Sequence, residues 1–138
     1  MLHIRKIKPL FTTVITTGNK FEKDMVDQGL IIAKQGDLKL WQQVVAVGSS
    51  VRDIQVGDWV MIKPENYARK KYSKDSVQND LDNNPIISYD FKWVTLEESD
   101  DNPMECLVLN DRDIEYVFEG EEKNESLITP GKPQLILS

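Results

Sequence analysis

Gly18-Asn19-Lys20-Phe21-Glu22-Lys23-Asp24-Met25-Val26-Asp27-Gln28-Gly29-Leu30-Ile31-Ile32-Ala33-Lys34-Gln35-Gly36-Asp37-Leu38-Lys39-Leu40-Trp41-Gln42-Gln43 separates two strand-like runs. Before it, Phe11-Thr12-Thr13-Val14-Ile15-Thr16-Thr17 is β-branched throughout after its aromatic start, which favours a pleated strand. After it, Val44-Val45-Ala46-Val47 is continuously apolar, as in strands buried on both faces or set in a barrel wall. Connections in compact domains usually run about 4–6 residues, and those beyond roughly 12–15 tend to be functional. Residues 18–43 far exceed that and carry the triplet Leu30, Ile31, Ile32 directly after Gly29. A long loop with a hydrophobic hook is built to hold something, and the rest of the chain reads as its frame. The strongest helical spacing also falls here, at Phe21, Met25, Val26 and Leu30, enough for one or two turns. On periodicity alone the triplet also fits another core strand.

Short β-type runs dominate elsewhere. Asp53 to Asp58 contains the Gly57-Asp58 turn signal, and Trp59-Val60-Met61-Ile62 follows until Pro64 interrupts it. Residues 65–102 read as an elaborated insertion with at least one strand, at residues 86–96, where positions 87, 89, 91 and 93 share an apolar face. Residues 104–109 form the next strand, 110–113 a turn, and 114–118 an alternating strand with Ile114, Tyr116 and Phe118 on one face. Many short strands joined by Gly, Pro and Asp turns imply an all-β barrel or sandwich. The expected division is a β-domain over residues 1–119, then an acidic linker and extended tail over 120–138 ending in the apolar Leu135, Ile136 and Leu137.

The 138 residues suffice for one domain with a real core. A net charge of -6 argues against a chain-wide nucleic-acid footprint. The single cysteine, Cys106, lies in a strand-like run and reads as a buried structural thiol. The N-terminus has no signal-peptide pattern, and no run approaches the ~18 apolar residues of a membrane span. A cytoplasmic protein fits, of a cell or of a virus assembled in one.

Chemistry-bearing patterns are sparse, so no enzymatic activity, cofactor or metal is expected. His3 is the only histidine, which removes any histidine ligand pair. Asp75, Asp80 and Asp82 lack the glycine and glutamate spacing of a calcium loop. Glu97, Glu98, Asp100 and Asp101 read as a solvated turn. Arg69, Lys70, Lys71 and Lys74, flanked by Tyr67 and Tyr72, form the one basic patch with aromatics. An exposed hairpin pairing with an acidic neighbour is favoured there over phosphate contact.

The ordered motifs resemble a known family. Ile7-Lys8-Pro9-Leu10-Phe11 followed by Val14-Ile15 is similar to the opening strand of GroES-type co-chaperonins. In that family a long mobile loop with a glycine and an aliphatic triplet comes next, where this chain has Gln28-Gly29-Leu30-Ile31-Ile32. Val44-Val45-Ala46-Val47-Gly48 and Val56-Gly57-Asp58-Trp59-Val60 resemble its next strand and its V-G-D-x-V turn. Residues 105–109, Asp113-Ile114 and Val117 resemble its closing strands.

The resemblance implies a β-barrel subunit of a seven-membered ring. Neighbours would pair first and last strands, here Ile7 to Leu10 against Asp113 to Phe118. Gly29, Leu30, Ile31 and Ile32 would dock on a GroEL-type chaperonin. There are departures: only residues 49–55 stand where the roof hairpin belongs, the 65–102 insertion is long, and the tail has no counterpart. They motivate an alternative, a phage capsid auxiliary protein reusing the barrel, with Leu135, Ile136 and Leu137 joining a neighbour's exposed edge.

Overall fold

The structure, a computed structural model, describes residues 2–71, 86–98 and 102–123. Its strands in chain order are β1 (Thr13–Thr17), β2 (Met25–Asp27), β3 (Leu30–Ala33), β4 (Trp41–Val47) and β5 (Trp59–Ile62). They continue with β6 (Ala68–Lys71), β7 (Ile86–Tyr89), β8 (Lys92–Leu96), β9 (Met104–Asn110) and β10 (Ile114–Phe118). The chain is all-β, with short 3₁₀ turns at Glu65–Tyr67 and Asp111–Asp113. Six strands form one antiparallel sheet in the order β10-β5-β4-β1-β9-β8. The expected closed barrel is not seen as a closed ladder, because β10 and β8 stand at the two ends of that order.

The sheet nevertheless wraps a core. Ile62 of β5 packs with Leu107 and Leu109 of β9, although β4 and β1 lie between those strands. Such contact across two intervening strands requires a strongly curled sheet. Register irregularities at Ile15/Thr16 and at Ile114/Tyr116 help the bend, since bulges increase local twist. The central strand β1 is buried on both sides, with Val14, Ile15 and Thr16 all at 1% exposure or less. Its continuous β-branched sequence matches that placement. The side of Ile15 is covered by Cys106 and Leu96, with Ile4 and Ile7 of the N-terminal segment packed against them.

Two expectations change at the strands themselves. Residues 86–96 do not make one strand. Asp90 donates its amide to the Tyr67 carbonyl at 2.9 Å, and the run divides into β7, paired with β6, and β8, paired with β9. Phe91 then packs on Tyr67 beside the core, whereas Tyr89 and Trp93 are half exposed. In β10 the register shift places Ile114 opposite Ile62 but Tyr116 opposite Met61. Residues directly opposite in an antiparallel pair share a face, so Ile114 points to the core side and Tyr116 and Phe118 to the other. A strict two-residue alternation had put all three together.

Candidate protein-docking site

Residues 18–43 form an arm with its own strand pairing. Asn19 and Lys39 begin the stem, where the Lys39 amide donates to the Asn19 carbonyl at 3.0 Å. Lys20 bridges to Leu38, and Phe21 exchanges backbone bonds with Gly36 and Asp37 at 2.8 Å each. Farther out, β2 pairs with β3. The helical spacing from Phe21 to Leu30 is therefore realised as a hairpin. Gln28 and Gly29 both have positive φ, 51° and 82°, between the paired Asp27 and Leu30. That is the geometry of a two-residue type I′ hairpin turn. Gly29 shapes a tight turn and is not the slack of an irregular loop.

At the base, Gln42 of β4 is fully buried and hydrogen-bonds with its whole amide. Its Oε1 accepts from Thr17 Oγ1 and from the Asn19 amide, both at 2.8 Å. Its Nε2 donates to the carbonyls of Asn19 at 2.9 Å and Lys39 at 2.7 Å. Both ends of the arm are thus fixed to the sheet by one side chain.

The hook residues stand out in water. Leu30, Ile31 and Ile32 are 71%, 54% and 66% exposed. Successive strand residues face opposite sides, so both faces of β3 are bare. The triplet is a strand but not a core strand. With Val26 at 43%, the outer part of the arm exposes a contiguous aliphatic patch, and exposed apolar patches are a common feature of interaction surfaces.

Beneath the arm lies an apolar groove of about 810 Å³. Trp41, Trp59, Met61 and Phe118 of the sheet line one side, and Phe21, Met25, Ile32 and Ala33 of the arm line the other. Phe21 meets Trp41 edge-to-face at 5.6 Å. Gly120, Glu121, Glu122 and Lys123, expected as a free acidic linker, lie along the same groove. Lys39 Nζ donates to both carboxylate oxygens of Glu122, at 2.9 and 3.1 Å, and sits over the Phe21 ring. The Lys39 hydrogen bond holds the Glu122 carboxyl below its ordinary range against the opposing effect of burial.

The expected subunit-interface residues are scattered. Ile7 packs in the chain's own core, and Ile114 does so on the other side of the sheet. Residues 6–10 belong to no strand, and β1 begins only at Thr13. Leu10 and Tyr116 are 56% and 50% exposed, whereas Phe118 lines the groove. Leu135, Ile136 and Leu137 lie outside the described residues, as do Lys74, Tyr72, Asp75, Asp80 and Asp82.

Several polar groups singled out in the sequence make contacts within the chain. His3 Nδ1 lies 2.5 Å from Glu97, beside the backbone bond from the Glu97 amide to the Ile4 carbonyl. Arg69 pairs with Asp90, and β6, which carries Arg69, pairs antiparallel with β7. Tyr67 packs on Phe91 and donates to the buried Asp113. Cys106 is buried, and burial, followed by the charge of Glu98, pushes its thiol upward. Among the described residues no three His, Cys, Asp or Glu side chains converge.

Sequence reasoning missed Gln42, Lys39 and Glu122, and it missed the groove formed by Trp59, Met61 and Phe118. Only the unusual apolarity of Leu38, Leu40 and Trp41 beside the loop pointed toward it. No family model matches the chain, and no curated protein matches it.

Proposed function

We propose that this protein is a non-enzymatic protein-binding module of the GroES-like co-chaperonin kind. Its β2–β3 arm carries Leu30, Ile31 and Ile32 to an apolar site on a GroEL-type chaperonin. The observation that carries this reading is the exposure of all three aliphatic side chains on an arm anchored at its base. Burying each one contributes about 1.5–3 kcal/mol. A paired stem lowers the ordering cost that a wholly free loop would incur on docking. The GroES-like barrel and the ring are part of this proposal. Consistent with a ring, β10 is an end strand with exposed Tyr116 and Val117, and Leu10 is exposed in an unpaired segment. Copies arranged in a ring would multiply weak single contacts.

Capture of the purified protein by a GroEL-type chaperonin, with ATP or ADP present, tests the proposal. Binding that is lost in Ile31→Asp supports it. No binding of the wild-type chain under either nucleotide sinks it.

The stem ladder from Asn19 to Asp37 makes the arm a pre-formed ribbon, which also supports a second reading, docking on a permanent neighbour in a virus particle. Under that reading the purified protein joins particles or lattices, and the same Ile31→Asp change blocks assembly. Free seven-membered rings that never enter particles would rule it out.

A further inference from the structure

We propose that the groove beneath the arm is a second docking site, and that its occupant is a short apolar segment of a partner protein flanked by lysine or arginine. This does not depend on where the hook docks. The groove is graded in polarity. Its apolar walls are half-buried, with Trp41, Trp59, Met61 and Phe118 on the sheet side. Its volume of about 810 Å³ lies in the range, roughly 300–1,000 Å³, that receives a drug-sized molecule, and so a few side chains.

The charged lining residues are exposed: Asp37 from the arm, and Glu121, Glu122 and Lys123 from the segment after β10. The lining thus carries three carboxylates against one ammonium. Glu122 is paired with Lys39. Asp37 accepts the Lys34 amide at 2.9 Å. Neither Asp37 nor Glu121 forms an ion pair among the described residues. A carboxylate without a cation therefore comes from the arm, and another from the segment after β10.

The chain itself shows how a cation is held beside this groove. Lys39, which is not a lining residue, sets its ammonium 5.5 Å from the centre of the Phe21 ring and 6.0 Å from that of Trp41. It donates to Glu122 at the same time. Aromatic faces attract cations at such distances. Trp59 and Phe118 add aromatic surface in the same groove, with no cation over their rings among the described residues. An uncharged or acidic segment would gain the apolar burial without this pairing, so the carboxylates select for basic flanks. A peptide suits the layout better than a small cation. Its apolar residues can fill the walls while cations before and after them meet Asp37 and Glu121.

The test titrates the full chain with the capped pentapeptide Lys-Leu-Phe-Leu-Lys and, separately, with Glu-Leu-Phe-Leu-Glu. Binding is followed by tryptophan fluorescence, since Trp41 and Trp59 line the groove. The expected result is saturable binding of the lysine peptide, about fivefold or more tighter than the glutamate peptide and weaker in high salt. Asp37→Asn with Glu121→Gln should abolish the preference and leave the circular dichroism unchanged. Glu121→Lys alone, at an exposed position outside any strand, should reduce it. Equal binding of the two peptides, binding of neither, or a preference that survives both variants would overturn the proposal. So would hexyltrimethylammonium binding as tightly as the lysine peptide, which would assign the groove to a small amphiphilic cation. Self-association seen by sedimentation and abolished by Glu121→Lys, with no peptide bound, would assign it to a second copy and also overturn the proposal.

Discussion

Gln42 grips Asn19 from both sides of its peptide, accepting from the amide at 2.8 Å and donating to the carbonyl at 2.9 Å. The same side chain reaches the Lys39 carbonyl at 2.7 Å. It thereby replaces a rung of strand pairing where the arm leaves the sheet. Leucine at position 42 would keep the bulk and remove four part-buried hydrogen bonds. Each such bond contributes about 0.5–1.5 kcal/mol net. Gln42→Leu should lower the denaturant midpoint by a matching amount. Hydrogen exchange at the Asn19 amide should accelerate more than at the centre of β1. Equal acceleration at both places would mean that Gln42 serves the whole fold and not the arm.

Asp113 is buried at 2% exposure and accepts from Asn66 Nδ2, the Asn110 amide and the Tyr67 hydroxyl. It ties β5's exit to the β9–β10 turn. Tyr67→Phe removes one bond to a charged acceptor, a loss of about 1.5–3 kcal/mol. Burial first, and then the Asp113 hydrogen bond and charge, push the Tyr67 hydroxyl well above its ordinary value. A raised value means that the folded chain keeps the proton when the unfolded chain has lost it. Stability from this group is therefore full below the ordinary tyrosine value of about 10 and falls as pH rises above it. Ultraviolet titration should show Tyr67 ionising only together with alkaline unfolding.

Glu122 has the opposite sign. Its folded value is depressed by Lys39, so its contribution is present above the ordinary carboxylate value and disappears as pH falls through the folded one. The carboxylate is half exposed, so solvent screens the pair and its worth is about 0.2–1 kcal/mol. Glu122→Gln should cost no more than that at neutral pH and almost nothing in acid. Thermal unfolding at the two pH values measures the difference, which should shrink in high salt.

Much of the frame was legible because its strands obey simple rules. The β-branched run ending at Thr17 became β1, the apolar run from Val44 completed β4, and Gly57 with φ 96° set the turn before β5. The arm was legible as an exposed apolar triplet at the right place, but not as a hairpin. Gln28-Gly29 is a weaker turn signal than Asn-Gly or Asp-Gly, and the spacing of Phe21, Met25, Val26 and Leu30 imitates a helix. The bulge near Glu115 and the break at Asp90 depend on tertiary partners, Ile62 and Tyr67. No local pattern announces them. The groove is non-local altogether, since Phe21, Trp59 and Phe118 come from three distant parts of the chain.

The central claim is that Leu30, Ile31 and Ile32 dock on a protein partner. Its most direct test is the dissociation constant of the purified protein for a GroEL-type chaperonin with ADP, wild type against Ile31→Asp. Loss of one buried aliphatic contact worth about 1.5–3 kcal/mol predicts a weakening of roughly 10- to 100-fold per arm, and more in a multivalent ring. Unaltered affinity in the variant, with its fold intact by circular dichroism, would contradict the account.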